Sequence, residues 1–458
     1  MKLLKTTAAL AITVALLAGC NDEETVNNYL PESTDVTFAA YNVSFDRTAY
    51  ADLVAEMQIE PSTQDVLVRS FLDGTIADAD KETASKVIQI RNVAAVIQIN
   101  RPDVIMMGEY NNDGTGTDTT SLQGFQDNYL SIAQSTDGAG GVSNLAPIEY
   151  PYKKGYATNT GLFSGLDLDN NGTIEQGPYG DNWGFGQFHG KYAFALMSKY
   201  EIDSQNTRTF QTFKWKDLEG QTIPTITDCS DPTKFPDGMD CGDEWYTAEE
   251  WEEIRISSKN HVDAPIIIPT KNGDKIVHVL MSHPTPPVFD TGKNKSQNAA
   301  EVEFWNQYVQ GKSFFYDDAG TTGGLAANAK FVVMGDLNTD SAAGDGERDV
   351  IAALKNNPLL DQDVMNGELY PTSFGAAEFA ADESSTHPMP NRITSTFGIG
   401  VDYAMPSANL NVKATGVYWP ASYEDGRKLV IDTRLEPATE DGKGVSSDHR
   451  LVWIKAEL

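Results

Sequence analysis

The chain has 458 residues, of which 66 are acidic and 34 basic, giving a formal net charge of −32, and 40% are hydrophobic. Such an excess of negative charge repels nucleic-acid phosphates and anionic lipid head groups, which argues against a tight nucleic-acid binder that works by charge neutralisation. It does not exclude an enzyme that acts on a phosphate ester, because a bound divalent cation can supply positive charge locally.

The amino terminus has the pattern of an export signal. Two lysines precede an uncharged run from Thr6 to Gly19, which is shorter than the roughly 20 residues that a membrane-spanning helix needs. We therefore predict a signal peptide over residues 1–20. The string Leu17-Ala18-Gly19-Cys20 resembles the lipobox of bacterial lipoproteins, which implies that acyl chains on Cys20 hold the protein on a bacterial membrane, facing the periplasm or the cell exterior. Ordinary cleavage with Cys20 as a bystander is the alternative. Residues 21–35 then form a flexible tether.

Five apolar runs predict buried strands, and a helix lies between the first two. The runs are Val36–Val43, Val104–Glu109, Val277–His283, Phe331–Asn338 and Arg450–Leu458. Between Ala77 and Asn100 apolar residues recur at helical spacing, and Pro102 ends that helix before the second strand. The chain therefore begins its fold with a strand–helix–strand unit.

Polar side chains interrupt three of these runs near their ends, namely Glu109, His283, and Asp336 with Asn338. In α/β proteins, ligands bind at the carboxyl ends of strands, so these endings predict one shared site. Because the motifs extend from the first predicted strand to the last, we predict a single domain over residues 36–458, with insertions near 111–191 and 205–260.

Two cysteines, Cys229 and Cys241, remain after the predicted cleavage. In an oxidising compartment they are expected to form a disulfide that closes a surface loop. Two thiols alone do not make a zinc site. Two unpaired surface cysteines are the less favoured alternative.

Six short strings resemble, in their order along the chain, those of the endonuclease/exonuclease/phosphatase superfamily, which includes secreted deoxyribonucleases. They are Tyr41-Asn42-Val43, Arg101–Val104 with Glu109, Ser282-His283-Pro284, Gly335–Asn338, Val401-Asp402-Tyr403 and Ser447-Asp448-His449. The resemblance, closest to secreted bacterial members, implies an α/β fold: a four-layer α-β-β-α sandwich of two mixed β-sheets with helices outside. It also implies a divalent-metal site at one rim.

The residue types fit metal-assisted hydrolysis of a phosphate ester. Glu109 supplies a hard oxygen ligand suited to Mg²⁺ or Mn²⁺, Asn42 would complete or buttress that site, and Asp448 would lie near the metal.

The remaining predicted residues have roles around the phosphate. In an extended chain Asp336 and Asn338 point the same way, so one can take a proton from water while the other orients the water or the phosphate. His449 would contact the phosphate, and Asp402 would hold its ring in the useful tautomer. By resemblance, His283 is a second contact to the phosphate or leaving group. Gly400 stands where many superfamily members carry an arginine near the Asp402 position.

Two further segments have alternative interpretations. Asp167, Asp169 and Asn171 match the first half of an EF-hand calcium loop, but Pro178 stands where the last ligand belongs. Glu175 or Asp181 would then complete a structural Ca²⁺ site; a plain turn is the alternative. The basic stretch 255–261 either touches substrate phosphate or is a solvated strand edge.

The first hypothesis is a metal-dependent phosphoesterase outside the cytoplasm, acting as a monomer on nucleic acid, nucleotides or other organic phosphates. The acidic surface favours small substrates, and the choice between nuclease and phosphomonoesterase stays open. The alternative is a catalytically silent surface lipoprotein that binds calcium or a partner. A serine hydrolase is set aside, because the chain has no Gly-x-Ser-x-Gly motif.

Overall fold

The computed structural model describes residues 33–177, 180–435 and 443–458. The predicted signal peptide, Cys20 and the tether up to residue 32 lie outside the described residues, as does Pro178. Among the described residues, no helix has both the length and the apolar character needed to cross a bilayer.

Six strands form the first sheet. They are β1 Asp35–Phe45, β2 Val104–Tyr110, β3 Tyr152–Gly155, β4 Ala195–Ser198, β11 Asn411–Val417 and β12 Val452–Glu457. Their order in the sheet is β11-β12-β1-β2-β4-β3. Because β1 is parallel to β2 and antiparallel to β12, the sheet is mixed.

The second sheet contains the remaining described strands. They are β5 Glu201–Ile202, β6 Arg208–Thr209, β7 His261–Ile268, β8 Lys275–Ser282, β9 Lys330–Asp336 and β10 Asp402–Pro406. The order is β10-β9-β8-β7-β5, with β6 also paired to β7. Here β8 and β9 are parallel and their other neighbours antiparallel.

The helices of the described chain lie outside the two sheets or in the connecting segments. They are α1 Tyr50–Met57, α2 Pro61–Leu72, α3 Lys81–Asn100, α4 Thr120–Phe125, α5 Ala248–Trp251, α6 Lys293–Tyr308, α7 Arg348–Lys355, α8 Gln362–Met365 and α9 Phe374–Asp382. A π-helical turn, Gln126–Leu130, follows α4, and short 3₁₀ turns occur at Asp78–Asp80, Trp215–Asp217, Pro232–Lys234, Pro390–Arg392 and Arg427–Leu429.

The two faces of strand β1 pack into two different hydrophobic cores. Successive side chains of a strand point to opposite faces. Val36, Phe38 and Ala40 belong to the core that the first sheet shares with the second, whereas Tyr41 and Val43 belong to the core beneath α1 and α3. The predicted fold class, two mixed sheets packed together with helices outside, is therefore confirmed.

Helix α3 is buried on its polar face as well as its apolar one. Gln89 Nε2 donates to the carbonyl of Ser446, and Asn92 Nδ2 to that of Val445. These hydrogen bonds hold the segment before β12 against the helix. They thereby position the Ser447-Asp448-His449 string.

The two cysteines are joined by a disulfide, with the Cα atoms of Cys229 and Cys241 5.6 Å apart. The loop lies within the predicted insertion 205–260. The predicted insertion 111–191 contributes β3 and α4 to the fold, and the boundaries of both insertions stay a prediction.

Candidate active site

Asn42 and Glu109 lie at the same end of two neighbouring parallel strands. In the register of β1 and β2, Asn42 is opposite Gly108. Glu109 is largely buried and has a left-handed backbone with φ 51°, which is unfavourable for a residue with a side chain. Such outliers concentrate at functional sites.

Three predicted residues converge on one oxygen of a fourth, Asp336. Asp336 Oδ2 accepts a hydrogen bond from Asn42 Nδ2 at 3.2 Å and lies 3.5 Å from His283 Nε2 and 3.6 Å from His449 Nε2. These partners belong to β1, to the residue after β8 and to the segment before β12. The structure thus unites side chains that are far apart in the sequence.

Asp402 contacts the other side of the His449 ring. Both Asp402 carboxylate oxygens lie within 3.1 Å of His449 Nδ1. Thr394 Oγ1 donates a hydrogen bond to Asp402 Oδ2 at 2.8 Å. Because Asp402 is opposite Asp336 in the register of β10 and β9, the ring lies between two carboxylates.

Asp402 pairs with His449 although Gly400 stands where many family members carry an arginine. The backbone N of Gly400 donates to Asp340 Oδ2 at 2.7 Å, and a Cβ atom at this position would lie only 2.7 Å from the carbonyl oxygen of Arg392. The close approach of the 392 and 400 segments therefore requires glycine, and Asp402 is held by Thr394.

Two serines fix Asp448 and His449 against the end of β1. Ser44 Oγ donates to Asp448 Oδ1 at 2.6 Å, although the two residues are 404 positions apart. Ser447 Oγ donates to the Asn42 carbonyl at 2.6 Å and accepts from the backbone N of His449 at 3.0 Å. Asp448 therefore faces Ser44 while its neighbour His449 faces Asp336.

Three carboxylates surround the ammonium group of Lys443. Its Nζ lies 3.7 Å from Glu109 Oε2, 3.6 Å from Asp448 Oδ2 and 3.9 Å from Asp46 Oδ1. Burial raises the pKa of Glu109, against the opposing effect of Lys443. Burial alone would lower the pKa of Lys443, but the three carboxylates outweigh it and raise that pKa. The fold therefore stabilises positive charge at this position.

The same position fits a divalent cation. Glu109 Oε2 is buried and makes no hydrogen bond to any described residue. Glu109, Asp448 and Asp46 present hard carboxylate oxygens, the ligands that Mg²⁺ and Mn²⁺ prefer. Asn42 lies beside them, with Oδ1 accepting from the backbone N of Ser44 at 3.1 Å.

Burial and charge set the ionisation of the central groups. Burial raises the pKa of Asp336 to about 6, with His449 opposing the rise. Burial alone would lower the pKa of His449, but Asp402 and Asp336 outweigh it and raise that pKa to about 10. Burial, assisted by Lys259, lowers the pKa of His283 well below its ordinary value. Near neutral pH the site therefore holds one cationic and one neutral imidazole beside a carboxylate.

Asn338 reaches the site by a different backbone path from the predicted one. Strand β9 ends at Asp336, and Asn338 has φ 54°. The predicted extended conformation from Asp336 to Asn338 is therefore wrong. The chain turns here, and Asp336 Oδ1 accepts a hydrogen bond from the backbone N of Asn338 at 2.9 Å, which closes the turn. Asn338 Nδ2 donates to the Pro284 carbonyl at 3.0 Å.

A cavity of about 790 Å³ opens onto this cluster. Its lining includes six of the predicted catalytic and active-site metal residues, namely Glu109, His283, Asp336, Asn338, Asp448 and His449. Asn42 and Asp402 do not line it and lie behind their partners. Trp183 and Trp245, one from each of the two predicted insertions, also line the cavity.

Carboxylates also cluster in the predicted calcium loop. One oxygen each of Asp167, Asp169 and Asp181 lie within 4.8 Å of one another. Asp181, and not the exposed Glu175, occupies the closing position, and its Oδ1 accepts from the backbone N of Leu168. Asn171 Nδ2 donates to Asp169 Oδ2 at 3.0 Å, so its side-chain nitrogen faces the cluster. Calcium binding at this loop stays a prediction.

Several residues of the site were not predicted from the sequence. Asp46, Lys443 and Thr394 lie in segments without a periodic pattern, so no sequence signal distinguishes them from surface residues. Lys259 belongs to the basic stretch 255–261, but it is buried and lines the cavity, unlike a solvated strand edge.

The model of the endonuclease/exonuclease/phosphatase family matches residues 39–449. This span includes the buried cluster, so the chain belongs to that family, and the predicted resemblance is confirmed. Members are typically metal-dependent phosphoesterases, which makes a phosphoester hydrolase the class that the fold and site define.

The solved structures that match this chain are distant in sequence. An endonuclease/exonuclease/phosphatase protein of Beutenbergia cavernae has 14% identity and a TM-score of 0.42, covering 93% of this chain and 72% of its own. One of Bacteroides vulgatus has 13% identity and a TM-score of 0.37, with coverages of 93% and 99%. A mannosyl-6-phosphatase of Bacteroides thetaiotaomicron has 10% identity and a TM-score of 0.36, with coverages of 92% and 99%. No curated protein matches the sequence significantly.

Proposed function

We propose that this protein is a divalent-metal-dependent phosphoester hydrolase that acts outside the cytoplasm. The observation that carries the proposal is the convergence of Asn42, His283 and His449 on Asp336, beside the carboxylates around Glu109. A solvated turn or a structural histidine does not account for this arrangement, because the groups are buried and come from separate strands.

Glu109, Asp448 and Asp46 would hold Mg²⁺ or Mn²⁺, with Asn42 as a buttress. A cation bound there supplies charge neutralisation for the phosphate oxygens and the leaving oxygen. The ammonium group of Lys443 occupies this position among the same carboxylates, so a bound cation would take its place there.

Asp336 is the proton acceptor for the attacking water. Its pKa of about 6 leaves it ionised at neutral pH yet basic enough to take a proton. Asn338 lies beside it in the cavity and orients the water or the phosphate.

His449 contacts the phosphate as an imidazolium, and Asp402 fixes the ring through Nδ1. His283, whose lowered pKa keeps it neutral, contributes a second contact to the phosphate or leaving group through Nε2.

The substrate is a phosphate ester, either nucleic acid, a nucleotide or another organic phosphate. The acidic composition favours small substrates over long polyanions. The proposed location rests on the amino-terminal pattern, with acylated Cys20 as the anchor and a monomer as the working form.

The test is an assay of the purified protein on a phosphate monoester, a phosphate diester and DNA, each with Mg²⁺, Mn²⁺ or Ca²⁺ and with chelator. We expect metal-dependent turnover that falls about 10²- to 10⁴-fold in Asp336→Asn and His449→Ala. Asp382→Asn makes the same chemical change at an exposed residue of α9 and should retain activity. Equal activity in all variants would refute the mechanism, and calcium binding without any turnover would favour the silent lipoprotein.

A further inference from the structure

The loop directly after His283 forms one wall of the cavity and is held rigidly. Residues 284–290 contain three prolines, each of which fixes its own backbone φ. The carbonyl of Pro284 accepts hydrogen bonds from Lys259 Nζ at 3.1 Å and from Asn338 Nδ2 at 3.0 Å. The near end of the loop is therefore anchored to the active site.

The far end of the loop is anchored to helix α6. Asp290 Oδ2 accepts from the backbone N of Asn294 at 2.9 Å, and Asn294 Nδ2 donates to the Val288 carbonyl at 2.8 Å. With both ends fixed, the residue between these anchors, Phe289, is presented to the cavity in a defined position.

Phe289 is unfavourably placed unless a ligand contacts it. Its side chain is 89% exposed, and its backbone has φ 80°. An exposed apolar ring forgoes the free energy of burial, and a left-handed backbone is strained for any residue other than glycine. Both costs occur in one residue at the rim of the active-site cavity, where such outliers often serve ligand binding.

Other aromatic side chains continue this wall. Phe397 lines the cavity, is 57% exposed and packs edge-on against the His449 ring with centroids 5.3 Å apart. Trp183 and Trp245 line the cavity as well. The lining of the cavity thus combines the polar cluster at Asp336 with several aromatic side chains among its other polar and apolar residues.

We propose that this aromatic wall binds a planar ring in the organic part of the substrate, while the phosphate lies at Asp336 and His449. The substrate class is then a compact phosphate ester with a ring such as a nucleobase, for example a nucleoside phosphate. The cavity volume of about 790 Å³ lies within the roughly 300 to 1,000 Å³ of pockets that enclose whole small ligands. Aromatic faces favour a planar partner over an acyl chain, because rings gain from stacking as well as from burial. The inference rests on the proposed function, whose phosphate position it uses.

The test compares adenosine 5′-monophosphate with ribose 5-phosphate, which share the phosphate and sugar and differ in the base. Binding is measured by calorimetry with Mg²⁺, using the full chain carrying Asp336→Asn to suppress turnover. We expect the nucleotide to bind about tenfold more tightly, equivalent to about 1.4 kcal/mol. Adding Phe289→Ala should remove most of that difference and leave ribose 5-phosphate binding unchanged.

Phe374→Ala is the matched control, because Phe374 is 71% exposed at the start of α9 and does not line the cavity. It should alter neither affinity. Equal or undetectable binding of the two ligands, equal loss of both in Phe289→Ala, or binding of hexyl phosphate as tight as that of the nucleotide would overturn the inference. Absence of turnover in every assay of the parent protein would instead count against the proposed function, so the two failures are distinguishable.

Discussion

At the scale of single residues, the ionisation states of Asp336 and His449 depend on each other. Burial favours the neutral form of each, while each partner's opposite charge favours the ionised form. Asp402 places a second carboxylate beside the His449 ring. The attraction of the two carboxylates for the imidazolium outweighs the cost of desolvating its charge. The charged pair therefore persists over the pH range between the two pKa values.

We predict a bell-shaped pH profile for turnover. The rate should rise as Asp336 loses its proton near pH 6 and fall as His449 loses its proton near pH 10. Asp402→Asn removes a negative charge beside His449, which lowers the pKa of the ring and moves the alkaline limb down by about 1 to 3 pH units. Initial rates measured across the pH range check this.

Asp263→Asn is the control for this profile, since Asp263 is buried in β7, pairs with His278 at 2.7 Å and does not line the cavity. That variant should leave the position of the alkaline limb unchanged. An alkaline limb that stays in place in Asp402→Asn would mean that the ring of His449 is not the group observed.

At the scale of secondary-structure elements, the active site depends on the close approach of β8 and β9. Gly335 precedes Asp336 in β9, and a Cβ atom there would lie 2.0 Å from the carbonyl oxygen of Ser282, the residue before His283. Its φ of 152° is also outside the range that other residues favour. One glycine therefore sets the spacing of two residues at the site.

We predict that Gly335→Ala strongly impairs both stability and activity. The strands must move apart to admit the methyl group, which displaces Asp336 relative to His283. We expect a loss of more than about 2 kcal/mol in the free energy of unfolding, comparable to other strained core substitutions. Urea unfolding and turnover measure the two effects.

Gly273→Ala separates the steric effect from backbone strain. Gly273 lies in the turn between β7 and β8 with φ 94°, and a Cβ atom there has no neighbour within 4 Å. The expected cost is about 1 to 2 kcal/mol with activity retained. Equal effects of the two substitutions would argue that close packing of β8 on β9 is unimportant.

At the scale of the whole molecule, the net charge of −32 opposes the compact state. Like charges repel over distances set by the Debye length, which is about 30 Å at 0.01 M and about 8 Å at 0.15 M ionic strength. Part of the acidic excess is concentrated around Lys443, where a divalent cation would offset it locally.

We predict that the melting temperature rises by a few degrees when NaCl is increased from 10 to 150 mM, because screening weakens the general repulsion. At constant ionic strength, Mg²⁺ or Mn²⁺ should add a further increment by binding the folded state. Glu109→Gln should lose only the second increment. A melting temperature that falls with NaCl, or a divalent increment that survives in Glu109→Gln, would contradict this account.

Much of the fold and the centre of the site could be predicted because they depend on local patterns. Each of the five predicted strands is present within about two residues of its predicted bounds. The helix begins at Lys81 rather than Ala77, since a 3₁₀ turn precedes it. The strings around Asn42, Glu109, Asp336 and His449 are short and close to strand ends, so they could be identified without knowing how the strands pair.

What the sequence by itself determined is the position of the strands and the order of the motifs. The motifs carry the resemblance to the family, and the resemblance implies the two-sheet architecture. Only the tertiary structure decided that three carboxylates surround Lys443, that Asp181 and not Glu175 closes the predicted calcium loop, and that Phe289 is exposed. The physical reason is range: periodicity acts between neighbours, whereas contacts such as Ser44 with Asp448, 404 positions apart, form only after the sheets have packed.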